Sequence, residues 1–197
     1  MGLLSARGFR RQAVKTLPYA VLGFIAVLFL IGLALPRYAV VETSIRTDAQ
    51  PATVFALIND FRQVSLWTTR YDADPNVRIE YRGPRRGVGA TVSWDSALIG
   101  SGTEVIVESR PFESVVTAVN PGEPGESSNR YRITADGTGT VLTWRFETDY
   151  GFNVLARFMA LLVRGVLEQE LTDGIENLAA LAASQPRTDS GDIEAQT

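Results

Sequence analysis

The chain has 197 residues, 45% of them hydrophobic, with 19 basic and 22 acidic side chains, enough for one domain of ordinary size plus an appendage. It contains no cysteine and no histidine, which excludes disulfides, thiol nucleophiles and thiolate or imidazole metal sites, and leaves any catalysis to carboxylates, Tyr, Ser/Thr or Arg. Arg7, Arg10, Arg11, Lys15 and Arg37 give +5 before Tyr38 with no acid, so the rest of a chain totalling −3 carries −8, a balance that speaks against nucleic acid as a partner.

Residues 1–16 read as a basic cytoplasmic segment. Residues 17–36 read as a transmembrane helix, because the run LPYAVLGFIAVLFLIGLAL carries no charge and a helix of that length rises about 28 Å, close to the hydrocarbon thickness of a bilayer. Pro18 falls in the first turn of that helix, where a missing N–H does least harm, and Tyr19 and Tyr38 bracket it as interfacial aromatics do. The basic excess ahead of the run predicts a single-pass protein with a cytoplasmic N-terminus and a main domain that is periplasmic or extracellular. A cleavable signal peptide cut after Gly32 and Ala34 is the alternative; the long apolar run and Pro36 favour the anchor.

Residues 38–47 read as a first strand. Asp48 offers a cap to a short helix that starts at Pro51 and runs through Ile58, and a second short helix or turn covers 61–67. Strands follow at hairpin spacing over 76–82, 89–96, 102–109, 114–120, 128–135 and 140–149, separated by Gly, Pro and Asp-Gly breaks. At a period of two, Ile79 and Tyr81, Val92 and Trp94, Val105 and Val107, Tyr131 and Ile133, and Leu142, Trp144 and Phe146 fall on inner faces. Glu104, Glu108, Arg130, Arg132, Arg145 and Glu147 fall outside, as solvated surface, so the enclosed interior should hold little that can do chemistry.

From Gly151 the period becomes 3.6 and holds to Ala183, with a buried stripe of Leu155, Phe158 or Met159, Leu162, Val166, Leu171, Ile175, Leu178 and Ala182. Residues 151–167 are apolar around more of their circumference than a one-sided helix requires, which suggests either a lip over a cavity entrance or simple packing on loops. Residues 185–197 read as a disordered acidic tail.

One strand, two small helices, six strands in meander and a long helix form an α+β pattern: a curved antiparallel sheet of about seven strands closed around its last helix. On Pro51-Ala52, Val54-Phe55, Asn59-Asp60-Phe61, Trp67, Asp74-Pro75, Gly87-Val88-Gly89-Ala90, Trp94, GSGTEVIVE at 100–108, TVLTW at 140–144 and Asp173-Gly174-Ile175-Glu176-Asn177-Leu178, residues 38–184 resemble the START-like, helix-grip superfamily, within it the polyketide cyclase/dehydrase and lipid-transport group. The resemblance implies a helix-grip fold with a ligand cavity between sheet and helix. It transfers no catalytic residue, because the family has no universal catalytic motif.

The residues expected to line that cavity are Tyr81, Trp94, Tyr131, Trp144, Phe158 and Leu162, with Trp67 at a mouth. No metal or cofactor is implied. The function read from these features is a membrane-anchored, exported domain that binds a hydrophobic small molecule or lipid, with transfer as an extension of that role. The alternatives are a cyclase- or dehydratase-type enzyme using Asp60 or Asp74 on a polyketide-like substrate, and an envelope interaction module without a ligand.

Overall fold

The computed structural model describes residues 6–123 and 125–186, with the side chains of the first helix described from Pro18 onward except Ala20. The expected acidic tail beyond Pro186 and the first five residues of the basic segment lie outside the described residues. In chain order the elements are α1 (Ala6–Ala34), β1 (Tyr38–Thr47), α2 (Pro51–Ile58), α3 (Phe61–Val64), β2 (Arg78–Arg82), β3 (Thr91–Asp95), β4 (Gly102–Arg110), β5 (Ser114–Val119), β6 (Ser127–Asp136), β7 (Gly139–Asp149) and α4 (Val154–Ser184).

Short hairpin breaks leave each strand no partner but its neighbour, so β2 to β7 form an antiparallel meander and β1 closes onto β7 in the order β1-β7-β6-β5-β4-β3-β2. This α+β architecture, a seven-stranded curved antiparallel sheet with a long C-terminal helix, is the helix-grip fold expected. Leu171, Ile175, Leu178 and Ala182 of α4 pack with Val54, Ile58, Ile106, Val115, Ile133 and Leu142 in one core. Small helices plug one end of it. The N-cap of α2 is Gln50 rather than Asp48, with Pro51 supplying the first-turn φ and no side-chain cap bond from Gln50.

Three expectations change. First, the helix begins at Ala6 rather than at 17, because residues 6–16 are mostly good helix formers, so Pro18 lies inside it. Among the described residues no helix is long and apolar enough to cross a membrane. The transmembrane helix over 17–36 is therefore not shown.

Second, the buried stripe of α4 holds only from Leu171 onward; Leu155, Leu162 and Val166 are more than 70% exposed. Third, β4 faces the other way: Glu104 and Ile106 are buried, whereas Val107 is exposed and Val105 only half-buried. The pairing dictates this. Directly opposed residues of an antiparallel ladder share a face, and inward Val92 stands opposite Glu104. A bulge between Ile106 and Glu108 then resets the register, bringing Ser109 opposite the buried Val115.

Candidate functional site

The interior between sheet and α4 is almost filled. Trp67, Tyr131 and Trp144 meet there edge to face or tilted, with ring centroids 5.1–6.2 Å apart. Gly174 of α4 makes room for them: a Cβ there would lie 2.9 Å from Trp144 Cζ3. Beside the three rings an enclosed space of about 10 Å³ remains, bordered also by Arg70, Tyr71, Glu104 and Asn129. That is room for about one water. The wide, hydrocarbon-lined hollow expected between strands and helix is not present.

Outside this plug a groove of about 780 Å³ runs between α4 and the sheet. Trp94, Ile99, Val119 and Phe146 form one wall, Gly165 and Val166 of α4 the lip, and Arg70, Gln169, Glu170 and Asp173 a polar margin. Trp94 is fixed in that wall by Gly102, which stands directly opposite it and whose hydrogen leaves space for the indole; a Cβ there would overlap Cζ2. Tyr71 lies against the same ring at 6.4 Å, and the Arg70 guanidinium covers it at 5.4 Å from the centroid.

At the inner end of the groove the sheet carries a polar network that an outward reading of Glu104 could not reveal. Glu104 accepts from Thr117 Oγ1 and, at 2.9 Å, from Asn129 Nδ2, while Trp144 Nε1 donates to Asn129 Oδ1 at 2.9 Å. Arg70 reaches from the loop after α3 to Glu104 at 3.5 Å and to Glu170 of α4 at 3.4 Å. Burial works against the Arg70 charge, but Glu104 and Glu170 outweigh it and raise its pKa. Burial also pushes the Tyr71 hydroxyl up to about 12 and holds Tyr131 well above the ordinary tyrosine value. Among the described residues no buried side-chain polar atom is left without a partner. The network is thus a charged floor satisfied within the protein.

Of the six residues expected to line a cavity, Trp94 lies on the groove, and Tyr131 and Trp144 border the small enclosed space behind it. Tyr81 is turned to the small helices, its hydroxyl 2.7 Å from Ser65 Oγ and its ring under the Arg62 guanidinium. Phe158 packs beside Gly32 of α1, and Leu162 is 75% exposed. Trp67 belongs to the core, its indole N–H bound to Leu57 O.

Asp60 and Asp74 lie off the groove. Asp60 is fully buried, caps α3 through the amide of Arg62, and is held by Arg85 and Arg86. Burial tends to raise its pKa, but these donors outweigh burial and lower it. The Ser96 hydroxyl and then the amide of Asn76 lower that of Asp74. Neither has the raised value a proton-shuttling acid needs at neutral pH. Among the described residues no group of acidic side chains is placed to hold a metal ion. A second concavity, about 770 Å³, lies beside the start of α4 and gathers Glu123, Glu126, Glu147 and Asp149; its Asp149 is engaged by Arg37.

Seven antiparallel strands curved against one long helix, with an apolar groove between them, define a helix-grip domain. The chain belongs to the family described as polyketide cyclase / dehydrase and lipid transport, which matches residues 38–183. Similar solved structures share that fold at low identity. TTHA0849 from Thermus thermophilus is 15% identical, with a TM-score of 0.57 over 75% of this chain and 100% of that one. Protein CV1439 from Chromobacterium violaceum is 12% identical, with a TM-score of 0.55 over 74% of this chain and 99% of that one. The di-domain ARO/CYC StfQ from the steffimycin biosynthetic pathway is 16% identical, with a TM-score of 0.55 over 92% of this chain but only 62% of the longer protein. No curated protein matches the chain in sequence.

Proposed function

We propose that this chain binds a hydrophobic small molecule or lipid in the groove between α4 and the sheet, and that α1 tethers it to a membrane. The groove carries the reading: about 780 Å³ walled by Trp94, Ile99, Val119, Phe146 and Val166, with Arg70 and Glu170 at its polar end. Burial of apolar surface is worth about 25 cal/mol per Å², so a guest covering a few hundred Å² reaches roughly micromolar affinity after ordering costs. The enclosed space behind the groove is too small for such a guest, so the ligand lies along the open groove with its polar group toward Arg70. That arrangement suits a ligand that must leave again, as in transfer. With Asp60 and Asp74 engaged elsewhere, the binding reading is preferred to the cyclase or dehydratase one.

The tether reading rests on α1. Apart from Gly32, every side chain described from Pro18 to Ala34 is exposed, and none is charged. A helix that is apolar all round is at home in a core or a bilayer, and this one has no core. Leu17 and Leu35 extend the charge-free run at both ends. With the basic residues ahead of it, the proposed orientation is single-pass, N-terminus cytoplasmic, domain periplasmic or extracellular.

The test of binding is displacement of parinaric acid, a fluorescent fatty acid, from the full chain in nanodiscs. Saturable binding that Val166→Asp and Phe146→Asp both weaken by tenfold or more is expected. Non-saturable uptake, or binding indifferent to both substitutions, would remove the groove from consideration.

A further inference from the structure

We propose that the first half of α4 is a second lipid-contacting segment, latched to α1 by Arg157, so that the mouth of the groove opens against the bilayer. The inference rests on the tether reading above and adds to it a surface and a positioning residue.

The surface is 152–166. Phe152, Leu155, Met159, Leu161, Leu162, Val163 and Val166 are exposed, from 45% to 86%. On the helix Leu155, Met159, Leu162, Val163 and Val166 fall within about 100° of one another as one broad apolar face, with Leu161 on another side and Phe152 just ahead of the helix. α1, which packs on α4 at Gly32, exposes apolar side chains all round; a protein partner covers one face of a helix and an apolar medium covers them all, and the exposed face of α4 continues that surface, which selects lipid as the occupant. Between Gly151 and Val163 the only charged residue is Arg157, and it is buried. Charge returns with the Arg164–Glu168 pair, one turn before α4 begins to grip the sheet. Gly165 and Val166, where the apolar stretch ends, are also the lip of the groove.

Arg157 is the latch. Its guanidinium donates to the carbonyls of Leu33 and Leu35 at 3.0 Å each, to that of Gly32 at 3.4 Å, and to Gly151 O. The last carbonyls of a helix have no partner within it and carry the negative end of its dipole. Arg157 reaches three carbonyls at the end of α1 with one side chain, of which that of Gly32 also accepts from the Leu35 amide at 3.3 Å. The only charge of the apolar stretch is thereby taken off its surface. Gly32 lets the helices close up: a Cβ there would overlap Val154 and lie 2.8 Å from Phe158. A bidentate Arg37–Asp149 pair and the Tyr150 amide bound to Arg37 O fix the same junction from the solvent side. Arg37 also lies 5.2 Å from the ring centre of the half-exposed Tyr38, two side chains suited to a headgroup layer.

The chain has no cysteine, so single cysteines carrying an environment-sensitive nitrobenzoxadiazole dye report cleanly. Full-length Leu162→Cys, Ile25→Cys and Val107→Cys are reconstituted in phosphatidylethanolamine–phosphatidylglycerol vesicles with doxyl-labelled lipid. Leu162→Cys and Ile25→Cys should shift to the blue and fall below half intensity, while Val107→Cys, on the outer face of β4, stays unquenched. Quenching at Ile25→Cys without quenching at Leu162→Cys overturns the lipid-contacting segment and leaves the tether standing. No quenching at either position overturns both. Adding Arg157→Ala should abolish quenching at Leu162→Cys and keep it at Ile25→Cys; unchanged quenching at Leu162→Cys overturns the latch. If Arg157→Ala does not fold, Gly32→Val tests the same junction from the α1 side, with the same two outcomes and domain melting as the check on folding.

Discussion

The two halves of α4 are one uninterrupted helix of similar apolar content in two different surroundings. From Leu171 to Ala182 the apolar side chains repeat along one stripe, and Leu171, Ile175, Leu178 and Ala182 disappear beneath the sheet. In the first half Leu155, Met159, Leu162, Val163 and Val166 form another stripe, with Leu161 off it, and all of these stay exposed. A stripe buried beneath the sheet records the protein's own core, whereas an apolar stripe left exposed beside an α1 that is apolar all round records an apolar environment that is not the protein's own. The groove lies at the junction between them, where Gly165 and Val166 still face outward and Glu170 already meets Arg70.

The sharpest separation of the halves comes from truncating one leucine in each. Leu178 is completely buried, so Leu178→Ala should cost about 2–5 kcal/mol through lost burial and the cavity left behind. Leu162→Ala removes nothing from the core and should stay within about 0.5 kcal/mol. Urea denaturation of the full chain in detergent, followed by tryptophan fluorescence, measures both. Equal losses would mean that the first half of α4 is held by the domain after all.

The next largest effect tests the charged floor at the junction. Glu104→Gln keeps the volume but turns one acceptor into a donor amid Thr117, Asn129 and Arg70, which should cost about 1–3 kcal/mol. It also leaves Arg70 with Glu170 as its remaining ion-pair partner, so Trp94 beneath the guanidinium should change its emission. An unaltered Trp94 signal, assigned with Trp67→Phe and Trp144→Phe backgrounds, would detach the network from the groove.

A smaller effect should change sign along the helix. In the gripping half, Gly174→Ala pushes a methyl against the buried Trp144 ring, and overpacking of about 1–3 kcal/mol exceeds the propensity gain of about 1 kcal/mol. Nothing lies within 4 Å of a Cβ at Gly165, so Gly165→Ala keeps the propensity gain and should stabilise. Two destabilised variants would show the first half packed more tightly than its exposure implies.

What the sequence made legible follows from what its patterns encode. Alternation and turn residues located β1, the six-strand meander and the extent of α4, and the inward placement of Trp94, Tyr131 and Trp144 came with them. Alternation alone does not fix which face is inward when both carry apolar atoms. Val105 and Val107 outweighed Glu104 in the reading, and only the pairing of Glu104 with Val92 decides it. Arg70 was out of reach for a related reason: it lies in a loop, where no period operates, and its partners are 34 and 100 residues away in the chain. Phe158 and Leu162 belong to a 3.6 period that slips between Val166 and Leu171, so the stretch before the slip faces away from the sheet, with Leu162 exposed and Phe158 beside Gly32 of α1. Arg157 carried a signal that went unused, as the only charge in an otherwise uncharged stretch.

The smallest expected effect separates the two regions by titration. Asp60 is buried against Arg85, Arg86 and the amide of Arg62, and its pKa is lowered in the folded domain. A depressed carboxyl contributes stability that is fully present above its unfolded value, about 3.9, and is lost as pH falls through the folded value. In the exposed half 151–163 and 18–35 contain no acid and the partners of Arg157 are backbone carbonyls, so the one titrating clasp at the junction is Asp149, which Arg37 holds below the usual carboxylate range. Acid should therefore loosen the sheet and small helices, read by tryptophan emission, and weaken the Arg37–Asp149 clasp, while the Arg157 contacts of the α1–α4 junction, read by a dye at Leu162→Cys, persist. Asp60→Asn should be less stable at neutral pH and flatter below pH ~4. An acid limb identical in wild type and Asp60→Asn would mean that the carboxylate at the base of α3 contributes nothing to holding the domain, and simultaneous loss of both signals would mean that domain and junction unfold as one unit.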